Sequence, residues 1–136
     1  MDQIIKMLFK EVNKAIKEDE MPVGCLIIKN NKIIAKSHNK KNKTNKITDH
    51  AEIICINKAA KKLKDWRLNE CELYVTLEPC NMCKEVIRQS RIKKVYYLLD
   101  SKFKNENNKE IDYIKISSNE TVDYLGKIQS FFAKKR

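Results

Sequence analysis

Two glycines and two prolines are the only residues of their kind in this chain. With Gly24, Gly126, Pro22 and Pro79 alone, there is no Gly-rich loop and no Pro- or Gly-rich linker, and no internal repeat is visible. The 136 residues therefore read as one compact domain, long enough for a real core and too short for two. No apolar run approaches the length of a membrane span. Asp2, Lys6, Lys10 and Glu11 interrupt the N-terminal segment, which excludes the apolar stretch of a secretory signal. A cytoplasmic location with no membrane partner is the resulting expectation. The cysteines (Cys25, Cys55, Cys71, Cys80, Cys83) are odd in number, with one tight pair, which argues against a disulfide framework. No second Cys-x-x-Cys is present to build a zinc ribbon.

Arginine is also scarce, limited to Arg67, Arg88, Arg91 and Arg136, so lysine carries most of the net charge of +11. A surplus of this size attracts phosphate backbones. The abundance of Lys, Ile and Asn together equally fits the codon bias of an AT-rich genome, and both readings stand at this point.

Periodicity supplies the elements. Ile4, Ile5, Leu8, Phe9, Val12, Ala15 and Ile16 share one helical face, ending near the charged run from Lys17 to Glu20. A strand from Val23 to Ile28, a turn at Asn30-Asn31 and a strand from Lys32 to Ser37 make a hairpin. Asn39 to Thr48 is polar and reads as a loop of functional length. A helix is expected from Asp49 to about Lys64, a strand from Glu72 to Leu77 with Leu73, Val75 and Leu77 on one face, and a helix opening at Pro79. Lys94 to Leu99 is a strand, Ser101 to Glu110 a polar loop, and Ile111 to Ile116 a short edge strand. Thr121 to Ala133 closes the chain as an amphipathic helix with Val122, Leu125, Ile128, Phe131 and Phe132. Hairpin, then alternating strands and helices, predicts an α/β fold: one mixed sheet with helices on both faces.

Two segments carry chemistry. Pro79-Cys80-Asn81-Met82-Cys83 opens one helix and places two thiols at i and i+3, where both sulfurs can reach one ion and the free N–H groups favour thiolates. His50-Ala51-Glu52 opens another. On an ideal helix residues i and i+2 diverge, so His50 and Glu52 can serve one centre only if it lies off the helix N-terminus. His50, Cys80 and Cys83 form a three-ligand set suited to zinc, leaving a fourth position for water. Glu52, as a carboxylate that is not a ligand, can take and return that water's proton. Each piece has a plainer reading alone: a redox pair for Cys80 and Cys83, a capping box for Asp49 and Glu52, a helix-terminal or core ring for His50. Taken together, H-x-E followed by P-C-x-x-C is the recognised signature of zinc nucleobase deaminases. Cys25, Cys55 and Cys71 read as small buried hydrophobes. His38 reads as a surface residue first and a pocket residue second.

Further segments extend the match: Met21-Pro22-Val23-Gly24, Asn39, His50-Ala51-Glu52-Ile53, Arg67-Leu68, Leu73 to Cys80, Met82-Cys83, Ser90-Arg91-Ile92, and Phe131-Phe132 followed by Lys134, Lys135 and Arg136. In these the chain resembles the bacterial tRNA-specific adenosine deaminases of the cytidine/deoxycytidylate deaminase superfamily. The resemblance implies a three-layer α/β/α cytidine-deaminase-like fold over 1–136. It implies one Zn2+ per chain on His50, Cys80 and Cys83 with a catalytic water as fourth ligand, and Glu52 as proton shuttle. It also implies a base pocket of Asn39, Met21, Val23, Leu77 and Pro79, the tRNA anticodon loop as partner, and a homodimer. Lys46-Ile47-Thr48-Asp49 departs from the family's Asp-Pro-Thr-Ala before the histidine, and Leu98 to Lys102 stands where the family carries a Gly-rich loop. Deamination of a free nucleobase or nucleoside is the first alternative, and a non-enzymatic metal or redox protein the second.

Overall fold

The computed structural model describes residues 1–101 and 110–134. The polar loop expected from Ser101 to Glu110 falls almost wholly outside them, as do Lys135 and Arg136.

Apolar side chains at helical spacing form α1 (Asp2–Lys17), which buries Ile5, Leu8, Phe9, Val12 and Ala15. The hairpin follows as β1 (Gly24–Lys29) and β2 (Lys32–His38). Asn30 and Asn31 both adopt left-handed φ, 51° and 63°, and Lys29 pairs with Lys32 across them. Two left-handed residues are what a type I′ turn requires, and Asn tolerates them. Next come α2 (Lys41–Thr44), α3 (Ala51–Leu63), β3 (Cys71–Leu77), α4 (Asn81–Gln89), β4 (Lys94–Leu99), β5 (Asp112–Lys115) and α5 (Thr121–Lys134).

The sheet order is β2-β1-β3-β4-β5. β1 is antiparallel to both neighbours, whereas β3, β4 and β5 run parallel. Parallel neighbours need a crossover, and α4 supplies it between β3 and β4. Strand alternation divides the core into two layers. Cys25, Ile27, Leu73, Val75 and Val95 pack against Ala51, Cys55 and Ala59 of α3 and Ile87 of α4. Leu26, Ile28, Tyr74 and Leu98 point the other way, towards α1 and α5. The result is the expected α/β/α sandwich. No helix among the described residues is long and apolar enough to cross a membrane.

At Gly24 the backbone of α1 packs directly against β1. A Cβ built there would meet the Leu8 carbonyl oxygen at 2.5 Å and Glu11 Cβ at 3.0 Å. Backbone cannot yield as a flexible side chain can, so Gly24→Ala is expected to cost about 1–3 kcal/mol through overpacking. Chemical denaturation would show this as a lower midpoint with an unchanged slope.

Two elements differ from the sequence reading. The segment Asn39 to Thr48 contains the short α2, because the buried Glu20 carboxylate accepts the N–H groups of Asn42 at 2.9 Å and Lys43 at 2.7 Å. In α5 the buried residues are Tyr124 and Ile128, while Val122, Leu125 and Phe132 remain 82%, 41% and 52% exposed. Tyr124 counts as half polar in a sequence pattern, but inside the protein its hydroxyl finds partners, and this rotates the buried face.

Candidate functional site

The two helices that carry the expected site residues start at Ala51 and Asn81, two residues later than Asp49 and Pro79. His50 is the N-cap of α3, with φ −75° and ψ 152°, and Cys80 is the N-cap of α4, with φ −70° and ψ 171°. Both are therefore extended. This removes the difficulty of an i, i+2 pair on a helix: His50 leaves the chain before the helix begins, and Glu52 lies in its first turn. Both helices pack on the same face of the sheet. Two ties fix the entry to α3: the Ser37 hydroxyl donates to the Ala51 carbonyl, and Lys40 N–H donates to the Asp49 carbonyl at 2.9 Å.

The helix starts bring His50, Cys80 and Cys83 together. Cys83 Sγ lies 3.5 Å and Cys80 Sγ 3.8 Å from His50 Nδ1, and the three donor atoms lie within 4.8 Å of one another. Ordinary Zn–S and Zn–N bonds in a tetrahedron place nitrogen and sulfur about 3.6 Å apart. One imidazole and two thiols at this spacing can hold a metal ion of that kind, and no other acidic, histidine or cysteine side chain among the described residues joins the cluster. His50 makes no side-chain capping bond and so does not serve α3 as a cap. The capping-box reading of Asp49 and Glu52 fails with it, since Asp49 is not the N-cap.

The electrostatics of the cluster are tightly linked. The hydrogen bond from the Cys83 thiol brings the Cys80 thiol down to about 4, against the opposing effect of burial, and His50 adds to the lowering. Cys83, as the partner that keeps its proton, is raised by that same bond and by burial. Hydrogen bonding to Cys80 raises His50. Glu52 is 4% exposed, and burial pushes its carboxyl up to about 7. A carboxyl near neutrality beside donor atoms of this type is suited to moving protons.

A cavity of about 940 Å³ opens over the cluster. Met21, Val23, Asn39 and Leu77 line it together with His50, Glu52 and Cys80. Pro79 is buried and is not among the lining residues. Sequence reasoning gave no pocket role to Phe131 and Phe132 of α5, Glu18 and Asp19 after α1, Lys41 to Lys43 of α2, or Glu78, all of which line the cavity. Phe131-Phe132 and Glu78 stand in segments that match the family, and Lys41 to Lys43 in the loop of functional length, but none carries a signal for the pocket itself; Glu18 and Asp19 carry no periodic or motif signal. Glu78 is held by a buried ion pair with Lys84 at 3.2 Å and accepts the Ser101 N–H at 3.1 Å.

His38 is neither a surface residue nor a pocket residue. It is 6% exposed, with Nδ1 3.0 Å from Glu11 and Nε2 2.9 Å from Glu18. Burial works to raise Glu11, but hydrogen bonds from His38 and Lys14 outweigh it and hold the carboxyl at about 2. Carboxylates on both sides explain why a histidine at the end of β2 is buried.

The family profile of MafB19-like deaminases matches residues 1–136. A tRNA-specific adenosine deaminase of Aquifex aeolicus is 41% identical over 102 residues, 74% of this chain and 68% of that protein. The Bacillus subtilis enzyme of the same name is 41% identical over 93 residues, 68% of this chain and 58% of its own length. Among solved structures, one from work on A-to-I editing by tRNA:A34 deaminases superposes with a TM-score of 0.77 at 29% identity, covering 86% of this chain and 98% of that one. A guanine deaminase from Bacillus subtilis gives 0.68 at 25% identity, covering 95% and 93%. The chain belongs to the MafB19-like deaminase family and stands with the bacterial tRNA-specific adenosine deaminases as a hydrolytic deaminase.

Proposed function

We propose that this protein converts adenosine to inosine at the wobble position of the tRNA anticodon loop, in the cytoplasm, using one zinc ion per chain held by His50, Cys80 and Cys83. The observation that carries the reading is the convergence of one imidazole nitrogen and two sulfurs, at 3.5 and 3.8 Å, beside a cavity that His50, Cys80 and Glu52 line. The names of the Aquifex and Bacillus relatives support the substrate.

Zinc, when bound, supplies the Lewis acidity that makes water a nucleophile near neutral pH. The rest is the work of this chain. Glu52 accepts one proton of the attacking water and delivers it to the purine ring nitrogen, then takes the proton of the newly added hydroxyl and passes it to the amine, which leaves as ammonia as the carbonyl forms. Asn39 hydrogen-bonds the base, its amide able both to donate and to accept. Met21, Val23 and Leu77 give the base apolar walls, and Pro79 turns the chain into α4 without touching the base. Lysines of α2 at the rim of the cavity meet phosphates. A homodimer would present two such surfaces to one RNA.

Incubation with tRNA, adenosine, cytosine and guanine separately tests the reading, with inosine, uracil and xanthine as products to be assayed. Inosine from tRNA is expected, with kcat/KM falling steeply with salt. Three phosphate contacts on a single strand imply about a twentyfold loss between 50 and 200 mM. A salt-independent reaction on free guanine or cytosine would replace this reading with the free-base alternative, which the superposition on guanine deaminase favours.

A further inference from the structure

α5 is held by few buried residues, and one of them makes more than an apolar contact. Tyr124 is fully buried. Its ring meets Phe9 edge-on, 5.6 Å between centroids at 83°. Its hydroxyl lies 2.8 Å from Thr76 Oγ1 and 2.8 Å from the Pro22 carbonyl, and Gly24 N–H reaches Thr76 Oγ1 at 3.1 Å. The Pro22 carbonyl only accepts and the Gly24 N–H only donates, so the protons run one way. Gly24 donates to Thr76, Thr76 to Tyr124, and Tyr124 to Pro22, which leaves each hydroxyl with one bond given and one taken.

This relay joins two walls of the cavity without touching its contents. Pro22 lies between Met21 and Val23, which line the cavity, as do Phe131 and Phe132 of α5. Tyr124 precedes Phe131 by seven residues, two helical turns along α5, and is not itself a lining residue. Apart from Tyr124, only Ile128 of α5 is buried. With so little apolar seating, the hydroxyl relay carries much of what fixes the register of α5 against the Pro22 turn.

We propose that Tyr124 is a positioning residue: through Thr76 and Pro22 it locks α5 to the Met21–Val23 turn and so sets the gap in which a polynucleotide substrate is gripped. The polynucleotide and the kinetic arm rest on the tRNA reading above; the lock between α5 and the Pro22 turn does not. Tyr124→Phe keeps the ring and removes one oxygen. It is expected to raise KM for tRNA about tenfold, the scale of one lost buried hydrogen bond, with kcat within about twofold and zinc content unchanged, the signature of lost uniform binding. Amides of α5 are expected to exchange with deuterium about tenfold faster or more, while those of α3 and β3 do not. Thr76→Val should reproduce both effects, Thr76→Ser should restore them, and the Tyr124→Phe/Thr76→Val double variant should be no worse than either single one, because all act on one network. Unchanged KM and unchanged α5 exchange in Tyr124→Phe would overturn the proposal, as would exchange that rises equally through the whole core. If the wild-type protein makes no inosine from tRNA, the substrate reading falls, and the exchange measurements on α5 still decide the relay.

Discussion

Glu52→Gln is expected to bind zinc with wild-type stoichiometry and to lose turnover by about 10⁴ or more. Positioned general acid–base groups contribute about 10²–10⁴ each, and here one carboxylate is asked to accept and return protons at several points of the same reaction. A 10⁴-fold loss corresponds to about 5.5 kcal/mol of transition-state stabilisation. The fold should survive the change. Glu52 is 4% exposed, and burial already presses its carboxyl towards the neutral form, so an uncharged amide of the same shape relieves a desolvation cost. The measurement is single-turnover inosine formation from tRNA alongside metal analysis of the same sample. Retention of a tenth of wild-type activity with full zinc would remove Glu52 from the proton-transfer role.

The layers of the fold were legible because both periods were clean. Leu73, Val75 and Leu77 alternate in β3, and Ile5, Leu8, Val12 and Ala15 recur in α1, so each element announced which side it would bury. The Asn30-Asn31 turn was legible from chemistry alone, since Asn is among the few residues that tolerate two successive left-handed positions. The short α2 was not, because four residues have no period and its anchor, Glu20, lies outside it. The face of α5 was misjudged for a related reason. Whether Tyr124 turns inward depends on Thr76 and the Pro22 carbonyl, 48 and 102 residues away in sequence. His38 shows the same limit: its burial depends on Glu11 and Glu18 in another element. The cluster of His50, Cys80 and Cys83 was readable because its motifs are local and chemically specific. The cavity wall was only half readable, because Phe131, Phe132 and the α2 lysines reach it through tertiary structure. The i, i+2 puzzle of His50 and Glu52 was resolved by one backbone feature, the extended N-cap.

His50→Ala is expected to weaken zinc binding by about 10²–10⁴. Apparent zinc affinities of structural sites amount to about 10–16 kcal/mol, and removing one of three protein ligands takes away roughly a quarter to a third of that. The cost to the apo fold should be small, because His50 makes no capping bond and occupies an N-cap whose extended backbone Ala can adopt. The two effects therefore separate. Thermal unfolding of the apo variant should match that of apo wild type, and only the holo protein should lose its ligand-dependent rise in Tm. Activity should fall with metal occupancy and return in part at high zinc. Proton release offers a second readout. Without metal, Cys83 holds its proton more tightly than an ordinary thiol and His50 is raised above an ordinary imidazole, while ligation requires thiolate and neutral imidazole. Zinc uptake by the wild type should thus release protons to the buffer, and the variant should release fewer for each ion bound. Equal metal content and equal proton release in the two proteins would exclude the imidazole from the ligand set. The paired cysteines would then need a partner other than His50, and the deaminase chemistry proposed for this cavity would lose its metal.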